Sequence, residues 1–509
     1  KGEGEGEGAP KKAKDAPKPA DAGEAKAPAL APAPARPTLE LIQSLLLPES
    51  VPEETLAALN GTATGGGAGS AARAMGGETV ALKVNTYSLE KEQELRIEVD
   101  GQPVTVMLKS GHAEIFGCEM PRDEKLTLSR TKVAIFSWDG CCLSVTGDPN
   151  YCYVGLTTPM RAYANLHAYL QQQRLHARAA GICGPRTMIV GPPSHGKTSL
   201  ARLLVNYAVR MGERPIYVDL DVVNGNLTIP GAIGAACVTS VVTCDDGLAD
   251  ACASPLVYYY GGRDVSTNPS LFQELVQGLS ANLQARVGSK GDRFGAASGM
   301  IFDAFGCQAG SGPGYRALVE TAIEMKVEHV VVMEQDKLFS DLDKELRPHH
   351  ITVVRLSRSG GVVQPDRQFK KLADRRLIRG YLYGRNSDLC PRPHVVSLDK
   401  VTVLQVRCAP AAPPDALPIG MAVAARPHEV VRLDAEALAT MENRVLGVSA
   451  SVATGGLLPD LRTLVRSPVL GFVVLQRVDV ANKQVTLLSP TAQALPSPVL
   501  IMGDIDFVE

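Results

Sequence analysis

The chain has 509 residues, 45% of them hydrophobic, and a formal net charge of −2 at pH 7. That length suits about three domains, and the near-balanced charge excludes a surface that attracts nucleic acid everywhere. Eleven scattered cysteines with no C-x-x-C pair, and nine histidines that do not cluster with them, exclude a disulfide framework and a zinc site and suit a reducing compartment.

In chain order, residues 1–78 read as a disordered low-complexity head. Residues 1–38 repeat Gly-Glu and then mix Ala, Pro and Lys, a composition that cannot bury enough apolar surface to fold. The first residue is Lys1, not Met, which leaves room for a preceding segment. Lys11, Lys12, Lys14 and Lys18 are diluted by acids and prolines and read as a solvated tail rather than a nuclear signal. Leu39–Leu59 has the leucines for a short helix, and Gly61–Gly77 is a flexible linker. Across 79–156 short strands alternate with turns: Leu95–Val99, Val104–Leu108, Glu114–Phe116, Leu126–Leu128, Val133–Trp138 and Cys142–Val145. This predicts a small all-β domain ending near Val154. Thr157–His176 predicts a helix leading into a second domain, 157–390. There the apolar strand Thr187–Val190 and strand Pro215–Leu220 precede helix Asn268–Arg286. Strand Gly299–Phe302, helix Tyr315–Met325 and strands His329–Met333 and Ile351–Leu356 follow. The alternation means a mainly parallel sheet covered on both faces. In 391–509 apolar strands return at Gly471–Leu475, Gln484–Leu488 and Val499–Met502, so the third domain is expected to be mainly β. No uninterrupted apolar run is long enough for a membrane helix, and no membrane partner is expected.

Gly191-Pro192-Pro193-Ser194-His195-Gly196-Lys197-Thr198 carries the chemistry. It is G-x-x-x-x-G-K-T between an apolar strand and a helical run (Leu200, Leu203, Leu204, Tyr207, Val209) that Gly212 stops. Such a loop turns successive N–H groups toward phosphate oxygens at a helix N-terminus. Lys197 is expected to reach the β- and γ-phosphates of ATP or GTP, and Thr198 to ligate Mg²⁺. Ile216–Asp221 is an apolar strand ending in two carboxylates, where an acid orders Mg²⁺ or accepts a proton. Asp221 is the first choice, Asp219 the second, and Asp303 a further candidate. From Arg355 to Arg392 ten Lys/Arg stand against three Asp, including Arg367, Lys370, Lys371, Arg375, Arg376 and Arg379. That run is either a solvated helix face or a lid over phosphates or RNA.

The order of motifs resembles a known family. Glu-Leu-Arg-Ile-Glu-Val (94–99), Ala-Glu-Ile-Phe-Gly (113–117), Lys-Val-Ala-Ile-Phe-Ser-Trp (132–138) and Thr-Pro-Met (158–160) precede the phosphate loop. Leu-Asp-Val…Gly…Ile-Pro-Gly (220–231), Ser-Gly-Gly-Val-Val (359–363), Tyr-Leu-Tyr-Gly (381–384), Leu-Pro-Ile-Gly-Met (417–421) and Leu-Leu-Ser-Pro (487–490) follow it. From about Val80 onward the chain resembles the Clp-type subunit of eukaryotic pre-mRNA cleavage complex II, in the polynucleotide 5′-hydroxyl-kinase family. The resemblance implies an N-terminal β-sandwich, a central P-loop domain and a C-terminal α/β domain. It implies nuclear work in mRNA 3′-end cleavage and polyadenylation beside other cleavage-complex subunits. In some members it implies RNA 5′-phosphorylation and association with the tRNA-splicing endonuclease. Carried onto this sequence, Glu94 and Lys132 reach the nucleotide, and Ser194, His195, Gly196, Lys197, Thr198 and Ser199 hold its phosphates. Asp221 serves as Mg²⁺-site acid or general base.

The departures fall on the RNA side. Val223 and Asn224 stand where active kinases have Gly-Gln, and Arg263-Asp264-Val265-Ser266 replaces a Thr-Pro clasp. Cys307 stands where a tryptophan stacks on a base, and Lys370 and Lys371 where lid arginines are usual. Two readings compete. One is an ATP-binding assembly subunit with weak or lost kinase activity. The other is an active RNA 5′-hydroxyl kinase in which Arg263 or Phe305 covers for missing groups. A GTPase-like switch is disfavoured because Asn-Lys-x-Asp is missing.

Overall fold

The structure is a computed structural model that describes residues 83–244, 247–288, 293–385, 387–408, 428–451 and 460–508. The head expected over 1–78, with its short helix and linker, lies outside these residues, as does Leu-Pro-Ile-Gly-Met (417–421). The first described domain is a β-sandwich. Its strands are β1 (Val84–Leu89), β2 (Gln93–Val99), β3 (Val104–Gly111), β4 (Glu114–Ile115), β5 (Cys118–Glu119), β6 (Lys125–Leu128), β7 (Thr131–Ser137), β8 (Cys141–Thr146) and β9 (Tyr151–Gly155). They form two sheets, β1-β8-β3-β6 and β5-β4-β7-β2-β9. Leu95, Ile97 and Val99 of β2 point into the core between them, with Val106, Ile135 and Leu143. The alternation in β2 implies a solvated polar face. Glu94, Arg96 and Glu98 are instead buried as well, because the next domain covers that face.

The central domain holds β10 (Arg186–Val190), β11 (Ile216–Asp219), β12 (Ala232–Val238), β13 (Cys252–Tyr259), β14 (Met300–Asp303), β15 (His329–Met333) and β16 (Thr352–Leu356), in the order β13-β12-β11-β14-β10-β15-β16. β12 pairs antiparallel with both neighbours, so the sheet is mainly but not wholly parallel. Sequence reading misses this pair for a physical reason. β12 is the Gly/Ala-rich AIGAACV, and β13 carries Pro255, which an edge strand tolerates. Helices α1 (Met160–Ala180) and α2 (Lys197–Arg210) cover one face; α3 (Pro269–Gly288), α5 (Pro313–Glu324) and α6 (Asp336–Leu346) cover the other, and the short α4 is Arg293–Ser298. In β10 the split is visible residue by residue: Ile189 packs with Leu200 and Leu204 of α2, whereas Met188 and Val190 pack with Phe272 of α3.

Helix α7 (Arg367–Tyr383) leads to a sheet of β17 (Arg392–Ser397), β18 (Thr402–Cys408), β19 (His428–Arg432), β20 (Arg444–Ser449), β21 (Val469–Asp479), β22 (Gln484–Ser489) and β23 (Val499–Asp506). Its order is β17-β22-β21-β20-β23-β18-β19. One cluster, with Tyr259, Ile378, Leu382, Phe472 and Ile505, joins the central domain, α7 and this sheet. Tyr259 also donates its hydroxyl to Val445 O at 3.0 Å. No described helix is long and apolar enough to cross a membrane.

The phosphate-loop helix is the seam with the sandwich. Asn206, fully buried in α2, donates to Phe116 O at 2.9 Å and Val242 O at 3.0 Å and accepts from Val242 N at 2.8 Å. Tyr207 and Arg210 both reach Glu114. Asn206→Ala strands two buried carbonyls and an amide, at a cost of about 1–3 kcal/mol for each group left unsatisfied. Denaturant unfolding is therefore expected to show a loss of at least about 2 kcal/mol; an unchanged midpoint would contradict this seam.

Candidate nucleotide-binding site

β10 feeds the phosphate loop and the loop feeds α2. Ser194 (φ 57°) and Gly196 (φ 81°) put the turn in the left-handed region, which at Gly196 costs nothing because there is no Cβ. No side chain caps α2, so its first N–H groups and dipole are available to an anion. Lys197 is 5% exposed, and its Nζ donates to Pro192 O at 3.0 Å. Burial lowers its pKa, opposed by the charges of Asp221 and Asp303.

Three buried carboxylates lie at the ends of β11 and β14, two of which, Asp221 and Asp303, act on the charge of Lys197, and they differ in what holds them. Asp219 accepts from the backbone N–H of Asp221 at 3.1 Å and of Leu227 at 3.0 Å, so it shapes the following loop. Burial and the charges of Asp303 and Asp221 push it well above the carboxylate range. Asp221 accepts from Val223 N at 3.0 Å and Asn224 Nδ2 at 2.6 Å. Burial raises its pKa against the pull of Lys197. Asp303, rather than Asp221, meets the loop threonine: Thr198 Oγ1 donates to Asp303 Oδ2 at 2.6 Å, and Tyr217 donates to the same atom at 3.0 Å. Burial, then the charge of Asp221, pushes Asp303 up to about 6.

A Mg²⁺ ion fits these donors. Asp303 Oδ1 is buried with no hydrogen-bond partner, beside a hydroxyl, and hard oxygen ligands with nucleotide phosphates make up the usual Mg²⁺ shell. Thr198 and Asp303 would hold the ion, which neutralises phosphate charge when bound.

The sandwich supplies the opposite wall of a cavity of about 960 Å³. Glu94, Lys132 and Asp221 all line it. Glu94 is heavily engaged: its Oε1 accepts from Arg96 Nε at 2.7 Å and Ser359 Oγ at 3.1 Å, and its Oε2 from Thr158 Oγ1 at 2.8 Å. Arg96, which sequence reading did not single out, donates to Thr157 O at 2.7 Å and presses on the Ser359-Gly-Gly turn. A Cβ at Gly361 would lie 2.9 Å from Arg96 Cδ, and one at Gly360 3.0 Å from its Nη1. Those contacts account for the Gly-Gly of that motif. Lys132 pairs with Glu98 at 2.7 Å and lies 6.0 Å from the Phe369 ring of α7.

Other lining residues of the cavity are engaged in internal contacts. Arg263 forms an ion pair with Asp374 of α7, and burial raises the Asp374 pKa against the pull of Arg263. Phe305 lines the cavity but is 4% exposed, its ring edge-on to Phe272 at 5.3 Å. Cys307 is also buried, and burial pushes its thiol up to about 11.

A strand-loop-helix phosphate site at the carboxyl end of a doubly wound sheet, roofed by a β-sandwich, defines a P-loop nucleotide-binding protein. The family models that match are the mRNA cleavage and polyadenylation factor CLP1 P-loop over residues 191–384, the N-terminal β-sandwich domain of polyadenylation factor over 88–177, and pre-mRNA cleavage complex II protein Clp1 over 389–509. The chain belongs to the Clp1 family. It is 36% identical over 425 residues to the polyribonucleotide 5′-hydroxyl-kinase Clp1 of Bos taurus and of Homo sapiens, covering 83% of this chain and 96% of each relative. The solved structure of a Clp1p–Pcf11p complex superposes with a TM-score of 0.68 at 21% identity, covering 84% of this chain and 99% of that one.

A metal ion held at Asp303 would compete with its proton. Its raised pKa means that the metal-free fold is favoured at low pH and loses that contribution as pH rises from about 4 through about 6, on the order of 3 kcal/mol. Unfolding at pH 4.5 and pH 7.0 is expected to show about 2 kcal/mol of this loss in the wild type and a smaller one in Asp303→Asn. Mg²⁺ with ATP is expected to restore the wild type at pH 7.0 but not the variant. Parallel pH profiles for the two proteins would remove Asp303 from the metal site.

Proposed function

We propose that this chain is the Mg²⁺–ATP-holding subunit of a nuclear pre-mRNA 3′-end cleavage complex, with its own phosphate transfer weak or lost. The observation that carries the reading is the asymmetry of the cavity. Its nucleotide side presents Lys197 and Thr198 at an uncapped helix end, with Asp303 behind Thr198 and Glu94 and Lys132 also in the lining. Where an acceptor would be held, Arg263 is already paired with Asp374, the ring of Phe305 packs on Phe272, and Cys307 is buried outside the lining. Bound ATP would bridge the sandwich and the phosphate loop and keep the central domain in one shape for partner subunits. Pcf11p, present in the solved relative's complex, is the kind of partner that such a surface would receive. Cleavage would then be performed elsewhere in the assembly, with RNA contacted directly or through it.

A second reading has its own support. The relatives are named polyribonucleotide 5′-hydroxyl-kinases, and Asp221 lines the cavity as a buried acid with a raised pKa, which suits a general base. An RNA kinase, serving tRNA splicing as well, would use Asp221 to take the proton of the attacking 5′-hydroxyl while Lys197 steadies the phosphoryl group.

Labelled ATP and 5′-hydroxyl RNA separate the two. The purified chain is expected to bind ATP–Mg²⁺, with affinity roughly 10- to 100-fold weaker in Lys197→Ala through the lost charge-assisted contact. Little label is expected on the RNA. Strong labelling that Asp221→Asn abolishes would overturn the first reading and establish the second.

A further inference from the structure

Beside the main cavity lies a second hollow of about 460 Å³, a volume within the range of small-ligand sites (roughly 300–1,000 Å³). Three carboxamides from three separate loops meet there: Gln308 after β14, Gln335 after β15 and Gln364 ahead of α7. Lys370 of α7 is the only Lys or Arg in the lining, and no carboxylate joins it. Gln335 Oε1 is buried with no hydrogen-bond partner. Although Gln335 holds the N-cap position of α6, its side chain makes no cap bond. A buried amide oxygen left this way calls for a ligand or a water. The 193–195 turn of the phosphate loop and Lys370 border both hollows, so the two share a wall.

The chemistry of the lining limits what it takes. Each carboxamide offers two donors and an acceptor, the complement of a base edge. One lysine and the imidazole of His195 among neutral amides suit a single phosphodiester rather than a triphosphate. We propose that this glutamine pocket holds one nucleobase of a single-stranded polynucleotide, with Lys370 beside its phosphodiester. The neighbouring nucleotide of that strand then lies along the 193–195 turn. Hydrogen-bond readout here takes the place of the aromatic platform common in strand-binding sites, in a protein whose Cys307 and Phe305 are both buried. The inference rests on the direct RNA contact named in the function proposed above and is independent of whether phosphate is transferred.

The test uses the full chain loaded with ATP and Mg²⁺, titrated by fluorescence anisotropy with labelled 5′-hydroxyl homo-oligomers of A, C and U, as RNA and as DNA. One base is expected to be preferred. Gln308→Ala with Gln335→Leu should weaken that oligomer about tenfold and erase the preference, at the lower end of what one bidentate base contact supplies. ATP affinity, measured by calorimetry, should not change. Gln308 and Gln364 are both exposed, so Gln308→Ala with Gln364→Ala leaves the core intact and should show the same loss of preference. Unchanged affinity and base preference in both double variants would overturn the pocket, and so would equal weakening of every oligomer. Competition by a free nucleoside monophosphate at the same concentration as the oligomer would overturn its assignment to a polymer. Phosphate transfer is not read, so failure here leaves the ATP site standing.

Discussion

Two carboxylates set side by side by a parallel register, with one buried lysine to answer them, constrain the whole site. β11 and β14 pair so that Asp219 lies opposite Asp303, and Asp221 follows two residues later. Charges so close in a desolvated pocket raise one another's pKa, and the protein answers with directed hydrogen bonds. Asp219 is given to two loop amides, Asp303 to Thr198 and Tyr217, and Asp221 to Asn224 and Val223 N. One oxygen of Asp303 is left without a partner. A cation brought by phosphates would satisfy that oxygen and relieve the crowding, and any ligand of the native state alone stabilises the fold by linkage.

The same economy of burial explains why the domains cannot be read separately. The polar edge of β2 is buried only because the central domain covers it, and Glu94 is engaged by the segments that surround the nucleotide cavity. Arg96 packs closely on the Gly360-Gly361 turn. Taking Arg96 away would leave a buried anion short of its partner, which costs far more than the pair itself contributes. At the other end Asp504, Asp506 and Val508 of the third domain also line the cavity. All three domains therefore line one cavity.

What the amino-acid order made legible was whatever carries its own local signature. The phosphate loop has four fixed positions in eight residues, and the strands and helices of the central domain follow from periodicity. The exchange of Asp221 for Asp303 beside Thr198 was not legible, since both acids end apolar strands in the same way. The choice depends on sheet order: β14 pairs directly with β10 whereas β11 lies one strand further out. Strand order is a non-local property. Glu94 and Lys132 came from family resemblance alone, and nothing in the alternation of β2 announced that its polar face would be covered. The Arg263–Asp374 contact links residues more than a hundred apart, and the charge run of α7 by itself could not distinguish a solvated face from a cavity wall.

In the proposed reading the nucleotide ties the sandwich to the central domain rather than merely filling the phosphate loop. Hydrogen exchange with and without ATP–Mg²⁺ separates the two. Slower exchange is expected at three separated segments, β2 around residues 94–98, the entry to α1 at 157–163 and the turn at 357–363, as well as at the loop itself. Protection confined to residues 191–200, with the sandwich and the 357–363 turn unaffected, would contradict that reading.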